Sequence, residues 1–141
     1  MHEIKGKSLV WESPPIIVNC IKSFKAEKRI NESVVFWDQN GYVSYIGSTK
    51  YLKSACEQER LEGFILIKRA KKENLGPLTL AYTEIFAKYG IIDAAVIYIS
   101  RGNFYYPFLL EHEIGHAFGI MHIEEDGNIM NPIYDNLGRN F

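Results

Sequence analysis

Eleven residues, His112-Glu113-Ile114-Gly115-His116-Ala117-Phe118-Gly119-Ile120-Met121-His122, constrain this chain more than any other stretch. On a helix, residues four apart lie one turn above each other on the same face. His112 and His116 can therefore aim two imidazoles at one point, and neutral imidazole is a common zinc ligand. Glu113 follows the first of them, where its carboxylate can reach a water activated at a metal without ligating the metal itself. Gly119 tolerates the left-handed backbone that stops a helix and turns the chain. After that turn His122 can swing back as a third ligand. Three protein ligands leave the fourth position of a tetrahedral zinc open, which marks a catalytic rather than a structural site. The bland alternative is an ordinary amphipathic helix. Five fixed positions in such a stretch arise by chance on the order of once in ten thousand sequences of this length or fewer. Three of the chain's four histidines also fall here. A purely structural zinc would need a fourth ligand, for which Glu124, Glu125 and Asp126 are the candidates.

At 141 residues the chain is long enough for one domain with a proper core, and 47% apolar with 23% charged residues suits a soluble globular protein. A net charge of −1 leaves no basic footprint for nucleic acid. The aromatic residues are spread along the chain, as in a packed core. No apolar run is long enough to span a membrane, and no apolar segment of a signal peptide follows Met1. The expected location is therefore cytoplasmic, with secretion by another route left open, and the expected state is a monomer. Two cysteines, Cys20 and Cys56, make no disulfide framework. They are expected to be free buried thiols in a reducing compartment.

Residues 1–15 read as a polar arm ending in Ser13-Pro14-Pro15, and residues 16–141 as a single domain. Ile16 to Ile21 is β-branched and predicts a strand. From Ser23 to about Asp38 the pattern turns helical, with Ile30, Val34 and Trp37 on one face. Asn40-Gly41 signals a turn, and Tyr42 to Ile46 a strand. Residues 49–62 are charged and fit either a helix or a surface excursion. Strands are predicted over 63–68, 78–84 and 91–100, with a solvated loop at 71–74. Arg101-Gly102-Asn103 then leads to the histidine helix, with Pro107 in its first turn. Strands with helices packed on one face make an α+β domain.

These residues carry a family resemblance. The motif over 112–122 resembles the zinc-binding consensus of the metzincins, and Asn128-Ile129-Met130-Asn131-Pro132-Ile133-Tyr134 resembles their Met-turn. Within the clan the chain is most similar to the matrixins, the matrix metalloproteinase type, over roughly residues 14–135. The resemblance implies an α+β zincin fold. It would have a twisted, mostly antiparallel or mixed sheet, the active-site helix, one backing helix, and a short irregular C-terminal part with the Met-turn. Met130 would be the hydrophobic floor of the metal site. Pro132, Ile133 and Tyr134 would wall the S1′ pocket, although tyrosines in some other metzincins donate to the oxyanion instead. Leu78, Thr79, Leu80, Ala81 and Tyr82 would form the edge strand along which a peptide substrate pairs.

The implied activity is that of a zinc-dependent endopeptidase, with one catalytic zinc on His112, His116 and His122 and Glu113 as general base. Its partner would be a protein or peptide substrate. The alternative is a zinc-binding regulator or single-partner effector with little general peptidase activity. The departures from the family also give expectations. Only His2 remains outside the motif, so no second, structural zinc is expected. The Arg101-Gly102-Asn103 loop lacks carboxylates for calcium. Ile123 stands where matrixins often have serine. The family's C-terminal helix would be absent or a stub, leaving the S1′ pocket open or deep. No cysteine-switch segment is expected, and the extra cysteines of the archaemetzincins are missing.

Overall fold

The computed structural model describes residues 9–21, 23–47, 49–70 and 79–141. His2 and most of the expected arm, the solvated loop at 71–74 and Leu78 lie outside them. The strands are β1 (Val10–Trp11), β2 (Ile16–Asn19), β3 (Tyr45–Ile46), β4 (Phe64–Arg69), β5 (Ala81–Lys88) and β6 (Ile91–Ile99). The helices are α1 (Phe24–Gln39), α2 (Thr49–Cys56) and α3 (Leu109–Ala117), and a 3₁₀ turn spans Tyr134–Asn136. None of the described helices is long and apolar enough to cross a membrane.

All six strands form one sheet. β4 lies between β2 and β6, and β3 lies outside β2. β1 pairs with the start of β6, and β5 runs along β6 as its antiparallel neighbour. The sheet is mixed, as the resemblance implied, but its balance is parallel, because among the described strands only the β5–β6 pairing is antiparallel. The cause is the placement of the helices. α1 follows β2 and α2 follows β3, so each helix carries the chain back to the end of the sheet where it started, and the next strand points the same way. The segment that was open between helix and excursion thus forms the crossover α2.

Alternation along the strands divides the core. Ile17, Ile65, Ile67, Ala95, Ile97 and Ile99 face α1 and α3, where they pack with Ile30, Trp37, Leu110 and Ile114. Val18, Leu66 and Val96 point to the opposite face and meet Ala55 of α2. Helices therefore cover both faces, not one. β3 is shorter than the predicted 42–46 strand, and β5 begins and ends later than the predicted 78–84 strand.

The cysteines are not free thiols. Cys20 and Cys56 form a disulfide across 36 positions of sequence, with Cα atoms 5.6 Å apart. Cys20 lies two residues beyond Val18 and so shares its face, and both cysteines pack in the cluster under α2. That shared parity brings the thiols together.

α3 is held from several sides. Trp37 Nε1–H of α1 donates to the Glu111 carbonyl at 2.8 Å, and Trp11 Nε1–H of β1 donates to the Ala117 carbonyl at 2.8 Å. Arg29 of α1 grips the Glu111 carboxylate with both Nη atoms, at 2.6 and 2.5 Å. A bidentate pair of this kind fixes orientation as well as distance. Gly115 lies against Met130 and Trp37: a Cβ there would come within 2.4 Å of Met130 Sδ and 2.6 Å of Trp37 Cζ2. Alanine normally favours a helix over glycine by about 1 kcal/mol. Here the overpacking outweighs it, because Trp37 is fully buried and tied to Glu111. Gly115→Ala is expected to lower the unfolding free energy by about 1–3 kcal/mol, measured by denaturant titration. A variant as stable as the parent would show that Met130 and Trp37 can yield.

Candidate active site

α3 starts at Leu109, after Phe108, whose backbone is left-handed (φ 66°). Pro107 therefore precedes the helix and does not occupy its first turn as predicted: the left-handed residue between them breaks the helical path. The carbonyl of Pro107 instead accepts a hydrogen bond from Tyr134 Oη at 2.7 Å.

His112 and His116 lie one turn apart on α3. The chain then turns at Gly119, where φ is 93° and a Cβ would meet the Leu9 carbonyl oxygen at 2.3 Å. Only glycine satisfies both the backbone and the space at this point. The turn returns His122 to the other two histidines. The Nε2 atom of His116 is 3.2 Å from that of His112 and 3.1 Å from that of His122. Zinc–nitrogen bonds of about 2.05 Å at tetrahedral angles put ligand nitrogens about 3.3 Å apart, so the three imidazoles fit one zinc ion. The converging group contains these histidines and no carboxylate. Glu124, Glu125 and Asp126 lie outside this group.

The outer nitrogens set the tautomers. His112 Nδ1–H donates to the Ile129 carbonyl and His116 Nδ1–H to the Ile120 carbonyl, each at 2.8 Å. A carbonyl only accepts, so the proton is on Nδ1 and the Nε2 lone pair is free for a metal. Burial lowers the pKa of His112 to about 4, opposed by the bond to Ile129 and aided by nearby His122. Burial, followed by the neighbouring His112 and His122, lowers that of His116 to about 3. His122 is shifted in the same direction by burial. The site thus favours neutral imidazoles, the form that binds metal.

Glu113 is buried beside these ligands, and burial raises its carboxyl pKa to about 7, against a hydrogen bond from Thr83 that lowers it. Thr83 Oγ1 is 2.7 Å from Glu113 Oε1 and 3.1 Å from the Glu113 carbonyl oxygen. Thr83 lies just beyond the predicted edge segment and was not among the candidate residues. Its clue was parity, since it falls two positions from Ala81 in a strand.

Below α3 the chain makes two successive asparagine turns. Asn128 Oδ1 accepts from the Met130 N–H, and Asn131 Oδ1 from the Ile133 N–H, each at 2.8 Å. Met130 is fully buried and meets α3 at Gly115, between the two helical histidines. A cleft of about 530 Å³ opens above, lined by Thr79–Thr83 on one side, by the histidines and Glu113 at its base, and by Pro132 and Tyr134 opposite. Ile133 sits between those two with its side chain exposed and does not line the cleft. Leu80 is fastened from behind, its carbonyl accepting from Asn103 Nδ2 at 3.2 Å. The Tyr134 ring packs edge-on against Tyr106, with centroids 4.6 Å apart. Its pKa rises to about 12, through burial first and the neighbouring Tyr106 next. The hydroxyl is a neutral donor already engaged by Pro107.

The fold is similar to that in the crystal structure of metalloproteinase-II from Bacteroides fragilis, with a TM-score of 0.52 and 17% identity. The alignment covers 99% of this chain and 54% of the other, so this chain spans about half of that protein's length. Comparison with curated proteins gives no match. Family comparison is more specific: the matrixin peptidase pattern matches residues 25–141, from α1 through the Met-turn. The chain belongs to the matrixins, a family of zinc metallopeptidases.

Proposed function

We propose that the chain is a zinc-dependent endopeptidase whose substrate is an extended stretch of protein or peptide. The observation that carries the reading is the convergence of three imidazole Nε2 atoms beside a buried glutamate, at the base of a cleft open to an edge strand. His112, His116 and His122 would hold a single zinc. Bound there, the ion would polarise the scissile carbonyl and acidify the attacking water.

Glu113 would take the proton from that water and deliver it to the leaving amine. A carboxyl with a pKa of about 7 is suited to both tasks near neutral pH, and an adjacent cation would favour its charged form. β5 pairs only with β6 among the described strands, so its outer edge can pair with an extended peptide. Thr79–Tyr82 would align the backbone. Pro132 and Tyr134 would wall the pocket for the side chain after the scissile bond. The engaged hydroxyl of Tyr134 supports this role over that of an oxyanion donor. The Cys20–Cys56 disulfide supports an oxidising working environment, in place of the reducing one expected from two cysteines.

A quenched peptide library incubated with and without a zinc chelator tests the reading. Cleavage is expected only without chelator, and a narrow preference just after the scissile bond would report the pocket beside Pro132 and Tyr134. One equivalent of bound zinc with no peptide cleaved would refute general endopeptidase activity.

A further inference from the structure

The outer edge of β5 and the general base are mechanically joined through one hydroxyl. Ala81, Thr83 and Ile85 share one face of β5 by strand alternation, and the contact of Thr83 Oγ1 with Glu113 shows that this face meets α3. The next residues along the strand, Tyr82 and Phe86, face the other side: Tyr82 stacks on Tyr98 with ring centroids 4.8 Å apart, and Phe86 packs in the cluster under α2. A strand shifted by one position would exchange these sets. The pairing of Thr83 with Ile97 in β6 therefore fixes the hydroxyl toward α3.

The contact itself has a clear polarity. An ionised carboxylate and a backbone carbonyl offer no proton, so Thr83 Oγ1 is the donor in each of its contacts with Glu113. It carries one hydrogen, and the 2.7 Å distance to Oε1 makes the carboxylate the principal acceptor. Threonine is also restricted about χ1, so the donor is held by a stiff side chain on a paired strand. We infer that Thr83 is a positioning residue for Glu113: it ties Oε1 to the substrate-binding strand and leaves Oε2 to face the reacting water. The inference rests on the reading of Glu113 as general base. Thr83 touches no reacting atom in this scheme and acts only through the glutamate.

Its consequence is a link between two functions usually considered apart. The same strand that would pair with the peptide also sets the direction of the base, so any displacement of β5 moves both. A peptide that seats fully along β5 would hold the base in line, and one that pulls the strand aside would misalign it.

Thr83→Val removes the hydroxyl while keeping the shape, and valine suits a strand. Thr83→Ser restores the hydroxyl. With zinc content matched to the parent, Thr83→Val is expected to lower kcat about 10- to 100-fold, the scale of loss seen when a reacting group is misplaced. KM for one quenched peptide should stay within about twofold of the parent, and Thr83→Ser should recover kcat to within about threefold. A second readout uses the zinc-free protein. Carboxyl-carbon NMR of glutamate-labelled samples should show the Glu113 resonance, assigned by its loss in Glu113→Gln, displaced in Thr83→Val and restored in Thr83→Ser. In a Glu113→Gln background the valine substitution should cause no further loss of residual activity.

Parental kcat in Thr83→Val, a serine variant as slow as the valine one, or a loss that follows lost zinc would each overturn the inference. An unmoved Glu113 resonance would do so independently of turnover. If Glu113→Gln itself cleaves like the parent, it is the general-base reading that fails, and that result is distinct from all of these.

Discussion

Glu113→Ala is expected to bind one equivalent of zinc as the parent does, yet to lose about 10²–10⁴-fold in kcat, the usual contribution of a positioned acid–base group. The two halves of this expectation come from separate features. Zinc would be held by histidine Nε2 atoms, and the other ring nitrogens of His112 and His116 are held by the Ile129 and Ile120 carbonyls, contacts that do not involve the Glu113 side chain. The carboxylate meets Thr83, not the histidines. Stability should not suffer. A buried carboxyl with a raised pKa is a burden on the fold, and alanine is the best helix former. Zinc stoichiometry by metal analysis, with kcat and KM on one peptide, checks both halves. A variant that cleaves as fast as the parent would rule out Glu113 as the base.

Loss of the disulfide should have the largest effect on the fold. Cys20 and Cys56 close a loop of 36 positions. In the chain-entropy treatment, opening a loop of that size costs about 4 kcal/mol, a large share of the roughly 5–15 kcal/mol that holds a domain together. The Cys20→Ser, Cys56→Ser double variant should therefore unfold at much lower denaturant than the parent, and a reductant should move the parent toward the variant. The bond fastens α2 to the end of β2, on the face opposite the histidines. Under conditions where the variant remains folded, zinc binding should be retained. A midpoint unmoved by reductant would mean that the bond contributes nothing to stability.

The contrast between these two experiments matches what could be read in the sequence. The convergence of the three histidines was legible because its logic is local: one helical turn separates His112 from His116, and one glycine turn brings back His122. Ile91–Ile99 and Phe64–Arg69 announced themselves as strands by their β-branched runs. The disulfide depends on where α2 lands relative to β2, and nothing near either cysteine states that. The parallel balance of the sheet was hidden for the same reason, because it follows from α2, whose charged sequence fitted a surface excursion equally well. Pro107 misled because its preference for a first helical turn was overridden by the left-handed Phe108. Thr83 was missed although its neighbours were chosen, since its partner lies 30 positions away.

The two histidine–carbonyl contacts have a bearing on how this site tolerates change. Every residue supplies a carbonyl, whatever its side chain. Mutation at Ile120 or Ile129 therefore cannot delete the acceptor that orients His116 or His112; it can only shift the backbone that carries it. The orientation of His112 and His116 is thus encoded in chain path rather than in residue identity. Both isoleucines are buried in the core, so a change at either is limited by packing and not by any need to preserve a hydrogen-bonding side chain.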